Sequence, residues 1–139
     1  TNLSDDKRSR MDEIERLVSK IRTRAPLVAA EYRKRAEERM KEILEGIDYD
    51  EARLLTEVAV FADKSNIDEE LTRLGSHILQ FRAICKEERV GRKLDFLVQE
   101  FNREANTVCS KSNDLAVTDA ALALKSEIEK VREQVQNVE

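Results

Sequence analysis

The stretch MDEIERLVSKIRTRAPLVAAEY, Met11 to Tyr32, decides the fold. Its apolar residues Met11, Ile14, Val18, Ile21, Ala25, Val28 and Tyr32 recur alternately three and four positions apart. That is the heptad seam of a helix packing lengthwise against other helices. Ala36, Met40, Ile43 and Ile47 continue the stripe with a shift of phase. The spacing predicts one helix over about residues 5–45, roughly 60 Å long at 1.5 Å per residue. Pro26 lies inside it, removes one backbone donor and predicts a kink near Arg22 to Pro26. The alternative is two helices with a break before Pro26. Gly46 supplies the stop signal.

Outward from this stretch the pattern stays helical. Asp50 opens a second helix to about Asp63, with Leu54, Leu55, Val58, Phe61 and Ala62 apolar. Ser65, Asn66 and Asp68 are turn and cap residues. A third helix from Asp68 to about Lys86 turns Leu71, Leu74, Ile78, Phe81 and Cys85 inward. A fourth, from Gly91 to about Val108, does the same with Leu94, Leu97, Phe101, Ala105 and Val108. Ser110 to Asp114 reads as a loop. The last helix carries a second seam: Val117, Ala121, Leu124, Ile128, Val131, Val135 and Val138. The expected fold is all-α: a long kinked helical arm over 1–46, then a bundle of about four helices over 47–139 with coiled-coil-like seams. Short helices alone cannot bury two long seams, so the seams pair with each other or with other subunits.

Composition agrees. In 139 residues there are 3 Gly, 1 Pro and only 4% aromatics, too few for the turns and strands of an all-β domain. No apolar run approaches the 18 or so residues of a membrane span. Thr1 to Arg10 is too polar for a secretory signal, and Cys85 and Cys109 read as free thiols, which points to the cytoplasm. The first residue is not Met, so the chain reads as a fragment with its upstream part missing. The net charge of −4 speaks against a simple nucleic-acid coat. Residues 20–41 differ, with eight basic residues, among them Arg33, Lys34 and Arg35, against three acidic ones. Such a segment either grips phosphates or is the solvated face of a long helix.

Three groupings can carry chemistry. Asp50, Arg53 and Glu57 share one edge of the second helix, and Glu70, Arg73 and His77 repeat those offsets on the third. If the two helices pack antiparallel across their short turn, Glu57, Glu70 and His77 converge at the rim of the contact. There they suit Mg²⁺ or Mn²⁺, which take carboxylates and water. The alternative is a set of helix-flank ion pairs. On the fourth helix Arg92, Asp95, Gln99, Asn102, Arg103 and Asn106 lie within roughly 60° of one line. Asn is a poor helix former, so this stripe is either a polar binding wall or an amide ladder to a neighbouring helix. Glu100 and Glu104 line its next edge. No phosphate-binding Gly loop, CxxC, HExxH or GxSxG occurs, which leaves nucleophilic catalysis poorly supported. Cys85 lies on an apolar stripe and reads as core.

The phrases DEARLLTEVAVFADKSNIDEELTRLGSHILQF (Asp50–Phe81), GRKLDFLVQEFNREANTVCSKSND (Gly91–Asp114) and KSEIEKVREQVQNVE (Lys125–Glu139) resemble the C-terminal domain of the YicC-like family. Residues 1–45 resemble the helical stretch upstream of it. Gly75 and Cys109 depart from the family pattern. Family members are bacterial, stress-associated, metal-dependent endoribonucleases that form hexameric rings or clamps. The resemblance therefore implies RNA as substrate, a divalent metal, Mg²⁺ or Mn²⁺, and a homo-oligomer, hexameric at full length. It implies that the family's N-terminal domain is absent from this chain.

Two functional readings follow. In the first, the chain is the C-terminal part of an endoribonuclease acting in bacterial RNA turnover. Glu57, Glu70 and His77 hold the metal or move protons, and Arg73, Arg92, Lys93 and Arg103 neutralise phosphate. Gln99, Asn102 and Asn106 then contact base or sugar, and Arg33, Lys34 and Arg35 add affinity. In the second, it is a non-catalytic helical oligomerisation module or adaptor that binds RNA-decay enzymes. Metal binding near His77 discriminates between them.

Overall fold

The computed structural model describes residues 2–85 and 91–136. Five helices account for most of them: α1 (Asn2–Ile43), α2 (Glu51–Asp63), α3 (Asp68–Ile84), α4 (Gly91–Lys111) and α5 (Leu115–Gln136). No strand occurs among the described residues, and no helix there is long and apolar enough to cross a membrane. The expected end of α3 at Lys86 and the final seam residue Val138 lie outside the described residues.

Helix α1 runs without interruption through Pro26, so the two-helix alternative is not what forms. Its two halves have different fates. Met11, Ile14, Leu17, Val18 and Ile21 are buried with residues of α3, α4 and α5 in one core. Beyond Val28 the helix emerges, and Met40 and Ile43 are exposed. The last turn gives way at Gly46, whose φ of 78° is the left-handed conformation that favours glycine. The Asp50 side chain then caps α2 by accepting from the N–H groups of Ala52 (3.0 Å) and Arg53 (3.3 Å).

The packing order is circular: α1 lies on α3 and α5, α3 on α4, and α4 on α5. The four-helix ring thus takes the first half of α1 as one wall. Helix α2 stands outside it, with Leu54, Val58 and Ala62 against α1 and with no close contact to α3. The expected antiparallel packing of α2 on α3 is therefore corrected. The short turn brings the helices near one another in sequence, but the long apolar flank of α1 is the surface that each of them covers. Asn66 serves that turn, its Oδ1 accepting from the Asp68 N–H at 2.8 Å.

The inward residues expected on α3, α4 and α5 are buried through Val135, with Cys85 half-buried beside them. On α2, Leu55 and Phe61 are exposed, because only one narrow edge of that helix meets a partner. Helix α4 extends past Val108 to Lys111, which shortens the expected loop. Ion pairs fasten the rims. Arg82 of α3 reaches Asp12 and Glu15 of α1, both at 2.7 Å. Arg24 reaches Asp114 at 3.0 Å, and its hydrogen bond holds that carboxyl below the usual range. Gly75 has a local reason: a Cβ there would lie 3.3 Å from the Arg22 guanidinium, which donates to the Leu71 carbonyl at 3.2 Å.

Candidate functional site

The seam between α3 and α4 places the charged edges of both helices together. On α3, Arg73 and His77 are one turn apart, and on α4 so are Glu100 and Glu104. Phe101 lies between the two acids in sequence but points into the core. Its ring meets the His77 ring edge-on, with centroids 5.9 Å apart and planes at 82°. This contact sets the imidazole against α4. One ligand atom each from His77, Glu100 and Glu104 then lies within 4.8 Å of the others.

The hydrogen-bond balance at this point is unusual. Both ring nitrogens of His77 are buried and neither has a hydrogen-bond partner among the described residues. A buried polar group left unsatisfied costs about 1–3 kcal/mol, and such groups call for an explanation. Glu104 is buried too, but its Oε1 accepts from Arg73 Nε at 2.9 Å. That bond compensates part of its charge and leaves Oε2 for another partner. The donor set of one imidazole and two carboxylates suits a divalent cation such as Mn²⁺ or Mg²⁺. Three protein ligands leave positions open for water or a phosphate oxygen. The residues present therefore fit a metal centre.

Glu70 lies two turns before His77 on α3 and is not part of this group. Its Oε1 accepts from Lys111 Nζ at 2.9 Å and lies 3.8 Å from Arg73 Nη2. Burial acts to raise its carboxyl. The Lys111 hydrogen bond, a backbone hydrogen bond and the charges of Lys111 and Arg73 outweigh that and hold it below the usual range. Cys85 goes the other way: burial pushes its thiol up, against the lowered value of an activated nucleophile.

Residues 21–139 match the family described as Endoribonuclease YicC-like, C-terminal. The chain belongs to this family. It is 44% identical over 139 residues to the probable endoribonuclease YicC of Clostridioides difficile, covering 99% of the chain and 47% of that protein. It is 38% identical over 138 residues to the probable endoribonuclease YicC of Haemophilus influenzae, again covering 99% and 47%. The chain thus spans about half the length of these relatives.

Within this YicC-like domain the expected site is only partly assembled. His77 and Arg73 stand at the α3–α4 seam. Glu57 is exposed on α2, which does not meet α3, so the expected convergence of Glu57 with Glu70 and His77 does not occur. The acids facing His77 are Glu100 and Glu104 instead. Their signal was an i, i+4 acidic pair flanking an apolar stripe, which marks an edge but not the helix it faces. Arg92, Lys93, Gln99, Arg103 and Asn106 are exposed along α4, with Asn102 half-buried. The Gln99 amide donates to Asp95 at 3.4 Å along the same helix. Arg33, Lys34 and Arg35 are exposed on the second half of α1, which does not pack on α4; Arg33 lies 3.7 Å from Asp63.

Proposed function

We propose that the chain is the C-terminal part of a divalent-metal-dependent endoribonuclease of bacterial RNA turnover, with His77, Glu100 and Glu104 as the metal ligands. The observation that carries this is a half-buried imidazole facing two carboxylates, its two buried ring nitrogens without a partner among the described residues, in a chain whose family is described as endoribonuclease. Mg²⁺ or Mn²⁺, when bound, supplies Lewis acidity and charge neutralisation at a phosphodiester. The protein's part is to hold the ligands. Arg73 fixes Glu104 through Oε1, and Phe101 fixes the His77 ring. Glu70, tied to Lys111 and Arg73, acts as a support one layer back. Arg92, Lys93 and Arg103 offer charge to RNA phosphates, while Gln99, Asn102 and Asn106 offer hydrogen bonds to base or sugar. Arg33, Lys34 and Arg35 form a second, separate basic surface.

The full-length protein is proposed as a cytoplasmic homo-oligomer, a hexamer, with a role in stress. Exposed Leu27, Met40 and Ile43 on α1, Ile47 in the turn after it, and Leu55 and Phe61 on α2 support an assembly surface. The same residues favour the second reading, a non-catalytic assembly module that binds RNA-decay enzymes.

Electron paramagnetic resonance of Mn²⁺ titrated into the chain separates the two. The endoribonuclease reading expects one bound ion per chain, lost in His77→Ala and in Glu104→Gln. It also expects RNA cleavage by the full-length protein to stop in both variants. Unchanged Mn²⁺ binding in both variants rules out the assigned ligands.

A further inference from the structure

We infer that Phe96 is a stacking platform for an unpaired base of the RNA, placed one helical turn from the metal-ligand cluster. The inference rests on the RNA-cleaving reading above and names its substrate class: single-stranded RNA with a free base beside the bond presented to His77, Glu100 and Glu104.

The chain has only 4 Phe and no Trp, so each aromatic side chain is a scarce resource. Phe81 and Phe101 are core residues in edge contact with one another. Phe61 is exposed, but the Lys64 ammonium lies 5.3 Å from its ring centroid. Phe96 is 61% exposed and, among the described residues, has no aromatic or cation–π partner. An exposed ring without an aromatic partner is what a nucleobase needs to stack.

Its neighbours decide between RNA and other occupants. Arg92 and Glu100 lie four positions on either side of Phe96, Arg103 lies seven beyond, and Lys93 three before. Arg92, Lys93 and Arg103 are exposed and make no ion pair among the described residues. The acids of the same face are engaged: Asp95 accepts from Gln99, and Glu100 faces His77. Three exposed cations, without an ion pair among the described residues, around an exposed ring match a phosphate backbone carrying a base. A second copy of the chain meeting this face by two-fold symmetry would bring two clusters of like charge together, which is repulsive. The rise of one helical turn is about 5.4 Å, so a base on Phe96 leaves its own phosphate within reach of the Glu100 carboxylate's surroundings.

The test is Phe96→Trp, which introduces the chain's sole indole. Three probes of equal length are compared with Ca²⁺ as the only divalent cation: oligouridylate, an abasic ribose-phosphate strand and a blunt RNA duplex. Oligouridylate should quench the indole, and the abasic strand and duplex should not. Anisotropy should show Phe96→Ala losing about tenfold in oligouridylate affinity, with abasic affinity unchanged and Phe96→Tyr close to the parent. Oligouridylate that binds without quenching, or binds Phe96→Ala as tightly as the parent, overturns the platform while leaving the RNA reading intact. Failure of the unmutated chain to bind any probe overturns both. A blue shift of the indole with protein concentration, without RNA, assigns the face to a second copy and also overturns the proposal.

Discussion

Arg73 Nε donates to Glu104 Oε1 at 2.9 Å, a bond from the third helix to the fourth one turn from the only histidine of the chain. Glu104 is almost wholly buried whereas Arg73 is half-exposed, so the carboxylate depends on the bond more than the guanidinium does. Arg73→Gln should destabilise the metal-free chain by about 1–3 kcal/mol, the cost of a buried acceptor losing a charged donor. Arg73→Lys should recover only part of that, since its ammonium cannot repeat the geometry of the Nε–H. Urea denaturation with and without Mn²⁺ checks the origin of the loss. A cation at Glu104 should shrink the Arg73→Gln deficit; a deficit of equal size in both conditions would separate Arg73 from the metal centre.

The Glu70–Lys111 pair sets an acid limit. The Glu70 carboxyl is held below its ordinary value of 4.5 in the folded chain. Its contribution to stability is therefore complete above the unfolded value and is lost as pH falls through the lower, folded one. Lys111→Met removes the hydrogen bond and leaves burial to act, so the folded carboxyl should rise. Acid unfolding followed by circular dichroism should begin at higher pH in Lys111→Met than in the parent. At neutral pH the variant should lose about 1–3 kcal/mol. An unchanged acid limb would mean that Arg73 alone suffices for Glu70.

What could be read in the sequence, and what could not, divides along one physical line. Leu94, Leu97, Phe101, Ala105 and Val108 are all buried as their spacing requires, because a stripe is a property of one helix. Which stripes meet is a competition among surfaces. Helix α2 offers Leu54, Val58 and Ala62, and it covers α1 rather than α3. Glu57 went with it. The same distinction governs the site. The offsets correctly placed Arg73 and His77 on one edge of α3, and Glu100 and Glu104 on one edge of α4. Only the packing of α3 on α4 makes those two edges face, and no spacing within either helix encodes that.

Two glycines should respond in opposite directions. Gly46 has φ 78° and nothing within 4 Å of a Cβ, so Gly46→Ala meets no clash and suffers only backbone strain. About 1 kcal/mol of lost stability is expected, and less for Gly46→Asn. Gly75 lies inside α3, where alanine is favoured by about 1 kcal/mol. Its Cβ would displace only the far end of Arg22, so Gly75→Ala should be neutral or stabilising. Thermal melts of the two variants test the contrast. A loss in Gly75→Ala exceeding that in Gly46→Ala would show that the Arg22–Leu71 bond matters more than its exposure suggests.

His77 offers the sharpest separation of ligand from scaffold. A histidine kept for packing stabilises the chain through its own contacts, whereas one kept for a metal is costly until the metal arrives. Both His77 nitrogens are buried and, among the described residues, unpartnered, which is the second condition. His77→Leu removes those two polar atoms while keeping most of the volume against Phe101. In metal-free buffer the variant should be as stable as the parent or more so, because an unsatisfied polar group has been replaced by an apolar one. Added Mn²⁺ should stabilise the parent by about 2.7 kcal/mol at one hundred times its dissociation constant. The same addition should leave His77→Leu unmoved. The two curves must therefore cross: the variant equal or ahead without metal, the parent ahead with it. If His77→Leu loses several kcal/mol in metal-free buffer, the imidazole is a structural residue satisfied by water, and the metal centre assigned to it does not exist.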